Sequence, residues 1–120
     1  MNRNQRRGYE AERRTAAAFR ADGYVCWKSG GSLSPADLVC AKPHQLILVQ
    51  VKVGDARLAD SWWNDLWRLC AWLDAIPILA DWPKRGHLRL RKINGPHSPG
   101  SRYWPMRDWL LDEIAGRWPG

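Results

Sequence analysis

The chain has 120 residues, with 19 Lys and Arg against 12 Asp and Glu, so its formal net charge is +7. That length bounds it to one domain with a modest core, and an apolar content of 45% excludes a disordered tail. No stretch approaches the roughly 18–20 apolar residues of a membrane span, and no apolar run of a secretion signal follows the basic start Met1–Arg7, so the chain is expected in a reducing cytoplasm.

In chain order, residues from about Arg6 to Ala21 predict a helix: they are rich in Ala, and Asp22-Gly23 supplies the stop. Tyr24–Lys28 is a short strand, and Ser29 to Pro35 a loop. Asp37–Ala41 and Leu46–Val53 are strands joined by the turn Lys42-Pro43-His44-Gln45. Roughly Ala59–Ala75 is helical. Ile76–Asp81 and His87–Ile93 form a further strand pair around Pro83-Lys84-Arg85-Gly86. Asn94 to Ser101 is a Gly/Pro/Ser linker, and Pro105 to Ala115 a short terminal helix. This order predicts a single α/β domain, a mixed sheet with helices packed on it. Residues 1–93 form its core, and residues 94–120 add the linker and the Trp-rich helix.

The basic excess is mostly arginine, 14 Arg to 5 Lys. The guanidinium fork matches phosphate bidentately, so the excess favours a polyanionic partner, foremost nucleic acid, over a merely soluble surface. Nine Trp can pack a core, stack on bases or anchor an interface, and composition does not separate these. The three cysteines, Cys26, Cys40 and Cys70, are odd in number and far apart in sequence. They form no Cys-x-x-Cys or Cys/His cluster, which argues against a disulfide framework or structural zinc.

Strand parity supplies the first chemical signal. In Leu46–Val53, Ile47, Val49, Val51 and Val53 share a wholly apolar face, while Leu46, Leu48, Gln50 and Lys52 share the other. An amide and an ammonium buried without partners would cost several kcal/mol, so they need a partner, a ligand or a wet cleft; exposure at a strand end is the plainer alternative. A short turn makes the two central strands an antiparallel hairpin, which brings Asp37 close to Gln50 and Lys52. On the first helix Tyr9, Glu12, Ala16 and Phe19 share the face expected to pack on the sheet. Arg6, Arg13 and Arg20 form a separate basic stripe. Glu12 reads equally as a solvated acid near a helix start.

Glu12, Asp37 and Gln50-Val51-Lys52 follow the order of the PD-(D/E)xK nuclease superfamily. More closely, the chain resembles archaeal-type Holliday junction resolvases. The matching stretches are Arg7-Gly8-Tyr9-Glu10-Ala11-Glu12-Arg13, Asp22-Gly23-Tyr24-Val25, Lys28-Ser29-Gly30-Gly31-Ser32, Asp37-Leu38-Val39, Leu48-Val49-Gln50-Val51-Lys52 and Ile76-Pro77-Ile78-Leu79-Ala80. The similarity covers about residues 6–93. It departs from the family in having Gln50 where Glu is usual, and in a longer Leu33-Ser34-Pro35-Ala36 loop before Asp37.

The resemblance implies a restriction-endonuclease-like fold and hydrolysis of four-way DNA junctions to leave 5′-phosphates. Glu12, Asp37 and Gln50 would hold Mg²⁺, with Mn²⁺ as a substitute, Gln50 giving a neutral oxygen. Lys52 would orient the nucleophile or stabilise the charge developing on phosphate. Ser32 would touch the scissile backbone, and Arg7, with Arg6, Arg13 and Lys28, would contact DNA. The implied partners are branched double-stranded DNA and a second copy of the chain, with no membrane, no small-molecule cofactor and a prokaryotic cytoplasm or a virus of such a host. A homodimer is also suggested by the second helix, whose Trp62, Trp63, Leu66, Trp67, Leu69, Cys70, Trp72 and Leu73 wrap beyond a single apolar stripe of about 100°. Two other readings stay open: a nicking, repair or restriction-like nuclease of the same superfamily, and a non-catalytic DNA-binding protein, supported by Gln50.

Overall fold

The computed structural model describes residues 2–30, 34–54, 58–85, 87–109 and 111. Its first helix, α1 (Arg3–Ala21), starts three residues before the expected Arg6. The reason is a capping box. The Asn2 side chain accepts the Gln5 N–H at 2.8 Å, and the Gln5 side chain accepts the Asn2 N–H at 3.1 Å. The helix stops where Gly23 takes φ +93°, a conformation that favours glycine.

Five strands and a second helix follow: β1 (Val25–Lys28), β2 (Leu38–Lys42), β3 (Gln45–Val53), α2 (Asp60–Leu73), β4 (Ile76–Trp82) and β5 (Arg89–Ile93). A sixth strand, β6 (Met106–Asp108), pairs with β5. It corrects the terminal helix expected from Pro105. The open edge of β5 offers backbone partners that a lone helix does not use: Asn94 N–H donates to Pro105 O at 2.8 Å, and Trp109 N–H to Leu90 O at 2.8 Å. The rest of that expected helix, residues 110 and 112–115, lies outside the described residues. The sheet runs in the order β1-β2-β3-β4-β5-β6, with β3 and β4 parallel and every other pair antiparallel. The one parallel step needs a crossover, and α2 is that crossover.

Each face of the sheet carries its own apolar layer. Ala11, Ala16 and Phe19 of α1 pack with Cys26, Leu38, Cys40, Ile47, Val49, Val51, Ile78 and Ala80. Trp63, Leu66 and Cys70 of α2 pack with Leu48, Leu79 and Ile93 on the opposite face. The inner face of α1 is rotated from the expected one. Tyr9 is 47% exposed, while Thr15 is buried, its hydroxyl donating to Ala11 O and accepting from Trp82 Nε1. Cys26 and Cys40, far apart in sequence, face each other across β1 and β2 as free, buried thiols.

The 94–104 segment is not a loose linker. Trp63 Nε1 donates to Gly95 O at 2.9 Å. The Asn64 side chain both donates to His97 O and accepts from His97 N. His97 is buried, stacked on Trp104 at 3.4 Å, and hydrogen-bonded to Asp60 and Ser101 O. Among the described residues no helix is long and apolar enough to cross a membrane.

Candidate active site

The strand β3 sends alternate side chains to opposite layers. Ile47, Val49 and Val51 belong to the α1 layer and Leu48 to the α2 layer, so Gln50 and Lys52 project on the α2 side. Leu38 pairs with Val49, and Asp37, one residue earlier, lies at a bend just outside this ladder, beside the end of β3. The backbone locks that position: Asp37 N–H donates to Val49 O at 2.7 Å, and Asp37 Oδ2 accepts the Val51 N–H at 2.8 Å. Asp37, Gln50 and Lys52 are all partly buried. Gln50 and Lys52 share one face of β3, and Asp37 meets the same strand through the Val51 N–H, with the Lys52 charge acting on it. Asp81 stands beside Lys52 in the parallel ladder with β4.

Glu12 arrives from the other layer. It borders the buried face of α1, and α1 covers the face opposite to Gln50 and Lys52. The groups can meet only at a strand end, and the register supplies one. Lys28 closes β1, Asp37 precedes β2, and Gln50 and Lys52 lie toward the end of β3.

Electrostatics link these groups. Burial raises the Glu12 pKa, and the negative charge of Asp37 raises it further, while Lys28 pulls it down. Burial raises the Asp37 carboxyl above its ordinary value, opposed by the Val51 N–H and by Lys52. Lys52 is lowered by burial and raised by Asp37. Two carboxylates that resist ionisation through burial, Glu12 also through the Asp37 charge, form a place where a cation is favoured.

Among the described residues no group of three or more His, Cys, Asp or Glu gathers. The candidate donor set is two carboxylates and one amide. All three supply oxygen, which suits a hard divalent ion that keeps some of its waters.

Ser32 lies outside the described residues. Arg3, Arg6 and Arg7 line an open cavity of about 620 Å³ at the start of α1. The Arg7 guanidinium lies 3.9 Å from the position a Cβ would take on Gly54, two residues after Lys52. Arg13 is exposed and paired with Glu10, one turn away. The Lys28 ammonium lies 4.2 Å from the centre of the Tyr9 ring. Sequence reasoning missed one neighbour: the Lys52 ammonium lies 4.7 Å from the centre of the Trp62 ring. Trp62 was read only as part of an over-wide apolar helix, and no periodicity within α2 points to a lysine on β3.

In sequence, no protein family and no curated protein matches the chain. In structure, it is similar to Hjc, a Holliday junction resolvase from the archaeal hyperthermophile Archaeoglobus fulgidus. The TM-score is 0.61 at 17% identity, over 69% of this chain and 70% of that one. The fold is therefore the restriction-endonuclease-like one, a mixed sheet flanked by helices.

Proposed function

We propose that the protein is a metal-dependent endodeoxyribonuclease that cleaves four-way DNA junctions as a homodimer. The observation that carries this reading is Asp37 bonded to the Val51 N–H of β3, between Gln50 and Lys52 in sequence, with the Lys52 charge acting on Asp37 and the Asp37 charge on Glu12. The likeness in fold to a Holliday junction resolvase and the net charge of +7 support it.

Glu12, Asp37 and Gln50 would hold the divalent ion, Mg²⁺ or Mn²⁺. Such an ion lowers the pKa of a bound water and offsets charge on a phosphoryl oxygen. Lys52 donates hydrogen bonds to the attacking water and to the phosphoryl oxygens, where its compact charge is most effective in a partly desolvated site. Attack on phosphorus with loss of the 3′ oxygen leaves a 5′-phosphate and a 3′-hydroxyl. Arg7 and Arg6 border the cavity beside Gly54 and hold the flanking backbone phosphates; Lys28 adds charge on the other side.

Two strands must be cut to resolve a junction, and a two-fold dimer places two such sites in register. Trp72, 83% exposed, and Leu73 on α2 offer apolar surface for that contact.

The deciding experiment compares cleavage of a four-way junction and a linear duplex, each with Mg²⁺ and with chelator, by native protein and Asp37→Asn. Junction cleavage that needs Mg²⁺ and fails in Asp37→Asn supports the reading. Preferential duplex cleavage makes the protein a different nuclease of the same fold. Binding without cleavage makes it a DNA-binding protein with a degenerate site, for which Gln50 is the supporting feature.

A further inference from the structure

A cation held against an aromatic face loses freedom along with solvent, and the described residues hold three lysines this way: Lys28 over Tyr9, Lys42 over Tyr24 and Lys52 over Trp62. Lys42 sits by the buried Asp22, far along the hairpin from Gln50. Only the Lys52 contact bears on the ammonium that the proposed mechanism uses.

Trp62 is poorly suited to a purely hydrogen-bonded structural role. Its Nε1 is buried and has no acceptor among the described residues, so what it offers its surroundings is the ring. Packing fixes where that ring stands. It lies in the first turn of α2, with its centre 5.8 Å from that of Trp63. Trp63 is fully buried, donates to Gly95 O and meets Trp104 edge to face at 4.9 Å. Trp104 in turn stacks on His97, which Asn64 and Asp60 tie to α2. An unbroken run of ring contacts therefore joins Lys52 to the 94–104 segment, two elements with no strand pairing between them.

We infer that Trp62 is a positioning residue for Lys52. Its ring fixes the direction of the ammonium, and the segment from Gly95 to Trp104 braces the turn that carries the ring. This rests on the nuclease reading for its consequence in catalysis, but not for the contact itself. A long, flexible lysine left without the ring would sample several rotamers, and only one serves an in-line attack. The loss should fall on turnover and leave substrate binding in place.

The contact is read first by a method blind to activity. The whole protein, labelled with ¹³C at lysine, has five lysines, and the Lys52 signal is identified by its loss in Lys52→Arg. Its ε-methylene protons should be displaced upfield by the indole ring current. The displacement should vanish in Trp62→Leu and persist, reduced, in Trp62→Tyr. In junction cleavage with Mg²⁺, Trp62→Leu should lower kcat about tenfold with KM within about twofold, and Trp62→Tyr should restore most of it.

An undisplaced Lys52 signal in the native protein overturns the inference whatever the activity, and needs only the conservative Lys52→Arg variant for its assignment. Equal loss of kcat in Leu and Tyr variants, or a loss carried in KM, also overturns it. A displaced signal in a native protein that cleaves nothing refutes the nuclease reading instead, and takes the catalytic role of Trp62 with it.

Discussion

Replacing Asp37 with Asn separates the charge of this carboxylate from its structural bond. Burial raises the Asp37 pKa, and the Asp37 charge adds to the rise at Glu12. An acid whose folded pKa exceeds its unfolded value contributes stability that is complete below the unfolded pKa and is lost as pH rises through the folded one. At neutral pH, without a bound ion, both penalties weigh against the folded state. Asparagine keeps an oxygen for the Val51 N–H, now met at 2.8 Å, and removes the charge. In chelator at pH 7, Asp37→Asn should therefore melt above the native protein. The difference should shrink as pH falls toward about 3, below the ordinary aspartate pKa, where the carboxyl is neutral in both states. Alanine removes the charge and the acceptor together. The orphaned Val51 N–H costs about 1–3 kcal/mol, so Asp37→Ala should melt roughly 3–10 °C below Asp37→Asn in a domain of this size. Added Mg²⁺ acts in the other direction. At about 100 times its dissociation constant a bound ion contributes about 2.7 kcal/mol, or roughly 8–10 °C for the native protein. Asp37→Asn should lose most of that gain, along with cleavage. Scanning calorimetry across pH, with Mg²⁺ and with chelator, reads all of these. If Asp37→Asn melts below native in chelator at pH 7 and keeps the full Mg²⁺ shift, the electrostatic account of the site is wrong.

Three further predictions follow from neighbouring residues. Gln50→Glu adds a third carboxylate to the proposed donor set, so cleavage should saturate at lower Mg²⁺ while the ion-free protein melts lower at pH 7; an unchanged Mg²⁺ titration would put Gln50 outside the ligand set. Trp63→Phe leaves Gly95 O without its donor inside a fully buried cluster, so the melting temperature should fall by roughly 3–10 °C, for about 1–3 kcal/mol; an unchanged melt would show that the 94–104 segment is not anchored through Trp63. Trp72 is almost fully exposed, so Trp72→Ser should change stability by less than about 0.5 kcal/mol yet convert a dimer to a monomer by light scattering. A native protein that is already monomeric at micromolar concentration would contradict the dimer.

The centre of the sheet was legible in sequence because two local rules agree there. Val49 and Val51 alternate with Gln50 and Lys52, so the polar pair could only share a face. The short turn at Pro43-His44, where His44 takes φ +65°, then fixes the register that brings Asp37 to the Val51 N–H, between Gln50 and Lys52 in sequence. The α1 face was less legible because size misled the reading. Tyr9 fits the apolar spacing but stays 47% exposed under Lys28, whereas Thr15, polar by composition, is buried by bonding its hydroxyl to Ala11 O and accepting Trp82 Nε1. The same limit hid β6: Met106–Asp108 is too short to show strand alternation, and what makes it a strand is the unpaired edge of β5, a property of another part of the chain.

Glu12 shows why a site of this kind cannot be read from periodicity alone. Helical spacing puts it beside the face that packs on Ile47, Val49 and Val51, and strand spacing puts Gln50 and Lys52 on the opposite face, so the two patterns taken separately argue that they never meet. They meet in effect because strands end. The Glu12 carboxyl responds to Asp37, just before β2, and to Lys28, the last residue of β1. The helices supply the layers, but the chemistry gathers where the sheet stops separating them. That is also where Trp62, from the first turn of α2, reaches Lys52. A carboxylate from one layer and an aromatic ring from the other thus bear on the same strand ends, and the Glu12–Asp37 coupling is lost if the register of β2 on β3 slips by one residue.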